Sequence, residues 1–141
     1  MVLKNDKGAA AVEFAIVLPL LILILFGIIE FSAAFFDKAV ITNASREGAR
    51  AGILFRSGTR GAGSEDAIIN ATVDNYIASN LISFGSSPAT ASTTITRTGF
   101  SVGDTLTVTV SYPYSYLVLP GFITTMTNPV VLTAATTMRM E

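Results

Sequence analysis

Cysteine, histidine and tryptophan are all absent from this sequence, and charged residues make up only 13% of it. Without cysteine the chain has no disulfide, thiol nucleophile or thiolate metal site. Without histidine it lacks the commonest metal ligand and general base. The formal net charge of -1 gives no support for a nucleic-acid binder, which usually carries a basic surplus. These absences make catalysis or metal binding less expected and favour a structural or binding role.

Apolar residues form half of the chain, and they are concentrated in the first 55 residues, whereas the remainder is rich in Ser, Thr, Asn and Gly. The run from Phe14 to Phe36 would measure about 34 Å as a helix at about 1.5 Å per residue. A hydrocarbon core is about 30 Å thick. Residues 14–36 are therefore predicted to span a membrane, and the protein is expected to have an anchored part and an extracytoplasmic part.

Three interpretations of this N-terminal segment differ in where, if anywhere, it is cleaved. A secretory signal peptide would use Ser32-Ala33-Ala34 as its small-residue site, but the apolar run is long for this and carries Glu13 and Glu30. A plain signal anchor would keep the basic start in the cytoplasm and explains the hydrophobicity, but not Glu13. The third interpretation places cleavage between Gly8 and Ala9, which makes Glu13 the fifth residue of the mature chain.

The third interpretation rests on a resemblance that covers residues 7–52. The sequence GAAAVEFAIVLPLLILILFGIIEFSAAFFDKAVITNASREGARAG resembles the N-terminal region of the TadE-like family, with AVEFAIVLPLL, FGIIEF and ASREGARAG as its most specific pieces. Members of this family are minor pilins or pseudopilins of the tight-adherence (Tad) branch of type IV pili. The resemblance implies a prepilin peptidase that removes residues 1–8, and pilin subunits and the Tad assembly platform as further partners.

The resemblance also gives Glu13 a role. In pilin families the fifth-residue glutamate is proposed to pair with the free N-terminus, here the amine of Ala9, and so to set the register between subunits. A buried carboxylate needs such a partner because an isolated buried charge costs several kcal/mol. Glu30 could be a second pairing point, with Lys38 or a neighbour's arginine. The alternative for both glutamates is a position at the lipid headgroups.

Beyond the membrane, the sequence predicts an α+β fold of pilin-like type. The long N-terminal helix is expected to cover residues 9–56, with small residues on its packed face, followed by a Gly/Ser linker over 57–64. A second, amphipathic helix is expected over 65–82, with Ser64 as its cap, within an extracytoplasmic domain of residues 65–141. The apolar positions that recur near helical spacing in it are Ala67, Ile68, Ala71, Val73, Tyr76, Ile77 and Leu81. Alternation of Leu106, Val108 and Val110 with threonines predicts strands of a small antiparallel sheet packed on the long helix.

Two further sets of residues are candidates for contacts between subunits. Arg46 and Arg50 share one face of the helix and could pair with acidic residues of a neighbour; the alternative is a solvated face. The connector 113–129 is unusually apolar and could bind another subunit or the membrane surface, or simply cover the core. Its candidate interaction residues are Tyr114, Tyr116, Leu117, Leu119, Phe122 and Ile123.

No catalytic constellation, phosphate-binding loop or calcium motif is evident, so we expect no enzymatic activity, cofactor, metal or small-molecule substrate. The sequence predicts a single-pass protein of the inner membrane with a cytoplasmic N-terminus, and an extracellular pilus as a further location. Its function is predicted to be that of a minor pilin or pseudopilin. The alternative is a signal-anchored membrane protein that never polymerises and whose outer domain binds a partner.

Overall fold

A computed structural model of the protein describes residues 6–54, 61–82, 90–116 and 130–140, with side chains from residue 8 onward. Within these described residues, two helices and three strands follow one another. They are α1 (Asp6–Ile53), α2 (Ala62–Asn80), β1 (Ser92–Arg97), β2 (Thr105–Tyr114) and β3 (Val130–Arg139). The predicted α+β fold is confirmed: a long apolar helix, a second helix and a small antiparallel sheet.

The helix α1 is continuous over 48 residues even though it contains Pro19. Its second half changes character, because small residues appear on the face that meets the rest of the protein. A methyl group added at Gly48 would lie 2.6 Å from Cγ2 of Val73, and one added at Gly52 would lie 2.5 Å from Cδ2 of Leu106. The absence of a side chain at these two positions therefore lets α2 and β2 approach the α1 backbone.

The helix α2 begins three residues earlier than predicted. Gly61 is its N-cap, and the backbone N–H of Glu65 already donates to the Gly61 carbonyl at 3.2 Å. Ser64 therefore lies inside the first turn rather than at the cap, so the predicted capping role was wrong. The predicted acid in the first turn is present as Glu65.

The buried face of α2 was also only partly predicted. Ile69, Val73 and Ile77 recur four residues apart and are buried, which is the spacing of one helix face. Ile68, which was expected among the apolar positions, is 37% exposed. The period was therefore correct, but the face was assigned one residue away at this position.

The sheet has the order β1-β2-β3, and both pairs of strands are antiparallel. Val108 in the central strand is opposite Ile95 on one side and Thr136 on the other. In the connection between β1 and β2, Gly103 has a φ of +94° and Asp104 accepts a 2.8 Å hydrogen bond from the Ser101 N–H. Only a glycine adopts such a φ readily.

One face of the sheet packs against α1, and α2 packs beside α1. The residues of this core are mostly Ile, Val and Ala from the two helices and alternate residues of β2; they include Ile41, Ala44, Ile69, Val73, Leu106, Val108, Val110 and Tyr112. The opposite face of the sheet is rich in hydroxyls, as in the 2.8 Å contact between Thr107 and Thr137. The predicted alternation with threonine thus arises because one face of the sheet is buried in the core and the other faces solvent.

Candidate functional site

The first half of α1 carries large apolar side chains that no other part of the described structure covers. We call residues 14–29 the exposed segment. Its side chains are mostly 40–73% exposed, among them Phe14, Ile16, Leu20, Leu21, Leu23, Leu25 and Ile28. Within the described residues, α1 is the one helix long and apolar enough to cross a membrane. A helix that is apolar all round, with no protein around it, is the form that a lipid environment stabilises.

The proposed cleavage point lies inside α1. Gly8 and Ala9 are exposed helical residues, and Glu13 is exposed one turn further on, about 6 Å along the axis. In the intact chain the nitrogen of Ala9 is a peptide amide, so it carries no charge with which Glu13 could pair. A free amine at Ala9 would exist only after cleavage. The pairing of Ala9 with Glu13 therefore stays a prediction.

Glu30 marks the point at which the sheet begins to cover α1. Its side chain is only 5% exposed, and its Oε1 accepts a 2.7 Å hydrogen bond from the Tyr114 hydroxyl. Burial raises the pKa of Tyr114, and the hydrogen bond to the Glu30 carboxylate and its charge raise it further. Glu30 thus has a partner within its own chain, which sequence reasoning did not identify.

The signal that could have identified this pair is the alternation of β2. Leu106, Val108, Val110, Tyr112 and Tyr114 are the inward positions of this strand, and all five are buried. The inward run therefore extends two residues into the stretch that had been assigned to the connector 113–129. Lys38, the partner suggested for Glu30, instead donates a hydrogen bond from Nζ to the backbone carbonyl of Thr133.

Asp37 is a second buried carboxylate that the sequence analysis did not single out. It lies two turns after Glu30 on the same face of α1, is fully buried, and accepts a 3.1 Å hydrogen bond from the Ile82 N–H. Burial raises its pKa, and the Ile82 hydrogen bond partly offsets this. Burial also raises the pKa of Tyr112, to which the charge of Asp37 adds. The seven-residue spacing from Glu30 was the available signal.

The other candidate contact residues are distributed differently. Arg46 and Arg50 are exposed on the face of α1 that points away from the sheet, where their predicted contacts with another subunit are sterically open. Tyr114 and Tyr116 lie together, with ring centroids 6.1 Å apart in an edge-to-face arrangement. Leu117, Leu119, Phe122 and Ile123 lie outside the described residues.

The described part of the chain contains no cluster of acidic side chains suited to hold a metal ion. Its one described ion pair joins Arg97 to Asp66, and the Arg97 guanidinium also lies 5.0 Å from the centre of the Phe100 ring. These contacts tie α2 to the sheet. The features that distinguish this molecule are therefore the exposed segment and the acidic positions at its two ends, Glu13 and Glu30.

Comparison with known protein families gives a match in the N-terminal helix. Residues 8–50 match the family model described as TadE-like protein, which confirms the resemblance found in the sequence. No curated protein and no solved structure matches the chain. The matched range begins at Gly8, includes Glu13 and Glu30, and ends at Arg50 near the last turn of α1. The chain therefore carries a TadE-like region in its N-terminal helix, which associates it with the pilin-like proteins of Tad pili and, with the exposed segment, indicates a single-pass membrane-anchored protein.

Proposed function

We propose that this protein is a pilin-like structural subunit, a minor pilin or pseudopilin, for assembly of a Tad-type adhesive pilus. The observation that carries the proposal is the TadE-like match over residues 8–50, which coincides with a helix whose first half has no protein partner in the described chain. A prepilin peptidase would cleave between Gly8 and Ala9. The protein would stay in the inner membrane, with its N-terminus in the cytoplasm and the sheet outside, until other pilin subunits and the assembly platform incorporate it.

Glu13 would then act at the step of incorporation. Exposed on the monomer, it needs a cationic partner when the exposed segment becomes surrounded by other helices. The Ala9 amine released by cleavage is that partner, from the same subunit or from a neighbour. Glu30 differs, because it is already buried against Tyr114. If it also helps to set the register, it does so together with the position of the sheet.

The decisive experiment is the intact mass of the protein extracted from its native membrane, with the prepilin peptidase present and absent. We expect a peptidase-dependent loss of residues 1–8. Gly8→Leu should block this loss, whereas the matched control Gly27→Leu, at a helix position with open space around it, should not. An unprocessed chain with the peptidase present would favour the signal-anchored alternative, and a start near Phe35 would indicate a secreted domain.

A second measurement separates processing from assembly. Glu13→Gln should leave the mature mass correct but reduce recovery of the protein in sheared pili at least several-fold, because the amide cannot pair with the amine as a charge. Glu47→Gln, also an exposed glutamate of α1, is the control and should assemble normally. Equal incorporation of both variants would contradict the assigned role of Glu13.

A further inference from the structure

The contacts between α1 and β3 fix how far the sheet extends towards the N-terminal half of the helix. The hydroxyls of Ser45 and Thr136 are 2.7 Å apart, and Lys38 donates to the carbonyl of Thr133. Seven helical residues rise about 10 Å, and three strand residues advance about 10 Å. The helix and the strand therefore advance by equal distances between these two contacts. Three more strand residues towards the N-terminus place Val130 near the level of Phe31.

The uncovered face of α1 remains apolar beyond this level. Phe31 and Phe35 are 70% and 71% exposed and stack with ring centroids 6.4 Å apart, and Phe36 is 47% exposed. The one polar side chain on this face before Asn43 and Arg46 is that of Ser32, whose hydroxyl donates a 2.7 Å hydrogen bond to the Ile28 carbonyl within the helix. One side of the helix is therefore covered by the sheet from Glu30 onward, while the other side stays apolar through Phe36.

The length of the helix decides where a membrane boundary fits. The exposed segment alone rises about 24 Å, less than the roughly 30 Å of a hydrocarbon core, whereas extension to Phe36 gives about 34 Å. Between Glu30 and Phe36 the sheet and the apolar face overlap by about 9 Å. The headgroup region on each side of a bilayer is about 5–7 Å thick. A bilayer that covers the three phenylalanines thus reaches the end of the sheet.

The end of the sheet suits such an environment. Val130 and Val131 are 45% and 58% exposed there, although valine gains from leaving water. The described residues of this end, 113–116 and 130–133, include no charged side chain. They do include the half-buried Tyr116, which belongs to a residue type enriched at membrane interfaces.

We propose that the end of the sheet at Val130 and Val131 lies in the outer interface of the membrane that α1 crosses, so that the domain rests on lipid. The occupant of this surface is the headgroup and upper acyl region of the bilayer. The inference rests on membrane insertion of α1, and not on cleavage or on pilus assembly. In this position the sheet limits how deeply α1 enters the membrane, since the contact between Glu30 and Tyr114 fixes the sheet to the helix at this level.

Because the natural chain has no cysteine, single cysteines can report the depth of chosen positions in the full-length protein. Val131→Cys tests the proposed surface. Val102→Cys is the matched control: it is another exposed valine, in the turn between β1 and β2, at the opposite end of the sheet. Leu21→Cys marks the exposed segment. Each variant would carry an environment-sensitive fluorophore and be reconstituted in phosphatidylcholine nanodiscs.

Quenching by lipids with a nitroxide high on the acyl chain, and by aqueous iodide, gives the depth. We expect Leu21 to be quenched by lipid and shielded from iodide, and Val102 to show the reverse. The label at Val131 should be quenched by the shallow nitroxide, with an iodide quenching constant several-fold below that at Val102. Val130→Cys repeats the test if the label at Val131 alters the circular dichroism spectrum.

Three results would overturn the proposal. Equal iodide quenching at Val131 and Val102 would place the end of the sheet in water. Shielding from iodide without lipid quenching would mean that protein covers it, either residues 117–129 or a second copy. An unquenched label at Leu21 would remove the premise of membrane insertion. The intact-mass measurement is independent of all three, so failure of this inference and failure of the proposed function can be told apart.

Discussion

The two halves of α1 belong to one unbroken helix but have opposite surroundings. Residues 14–29 carry large apolar side chains that stay exposed. Beyond Glu30, one face of α1 is buried in the core, and this face consists of small residues and short aliphatic side chains such as Val40, Ile41 and Ala44. The difference shows that hydrophobicity alone does not bring α1 into the protein core. A packed face also needs small residues at which other backbones can approach, as at Gly48 and Gly52.

The largest difference between the two halves of α1 is expected when the same side-chain atoms are removed from each. Ile41 is fully buried and Ile28 is 60% exposed. Ile41→Ala should lower the free energy of unfolding of the domain by about 2–5 kcal/mol, since it leaves a cavity. Ile28→Ala should change it by less than about 0.5 kcal/mol. Urea titration in detergent micelles, followed by near-ultraviolet circular dichroism, measures both; similar losses would mean that the exposed segment also packs on the domain.

A second pair of variants adds bulk instead of removing it. Gly48→Leu would force a side chain against Cγ2 of Val73, so we expect the free energy of unfolding to fall by about 1–3 kcal/mol. A Cβ atom at Gly27 would meet no atom within 4 Å, so Gly27→Leu should leave the domain unchanged. The same titration applies. A stable Gly48→Leu variant would show that α2 can move away from α1 at little cost.

The smallest effect is expected for a variant at the boundary between the two halves of α1, where Glu30 contacts Tyr114. Tyr114→Phe removes the hydroxyl that donates to Glu30 and should lower the free energy of unfolding by about 1–2 kcal/mol, because the buried carboxylate loses this hydrogen bond. Tyr116→Phe is the control, since its hydroxyl makes no hydrogen bond with the residues that the structure describes. If both variants unfold at the same urea concentration, the Glu30 contact does not hold the sheet in place.

Much of the fold follows from local pattern. The long apolar run predicts α1, the threonine alternation predicts β2, and the glycines predict close packing on the second half of α1. The boundary of α2 was less predictable, because Gly61 accepts the first helical hydrogen bond although Ser64 is the better capping residue by type.

The candidate site was predicted only in part, because local pattern relates only residues that are close in sequence. Gly8, Ala9 and Glu13 are close in sequence, so their arrangement follows from helix geometry alone. Glu30 and Tyr114 are 84 positions apart, and no local pattern indicates that they meet. Asp37 was passed over because a carboxylate after an apolar run normally marks return to water, whereas here it lies under the sheet.

By itself, the sequence determined that this protein has a membrane-grade helix and a small α+β domain, because periodicity and composition act over a few residues at a time. The TadE-like N-terminal region was identified by the resemblance of residues 7–52 to that family. Tertiary structure alone decided where on the helix that domain sits. That position depends on contacts between distant residues, such as Glu30 with Tyr114 and Ser45 with Thr136, which form only when the sheet and the helix are packed in one register.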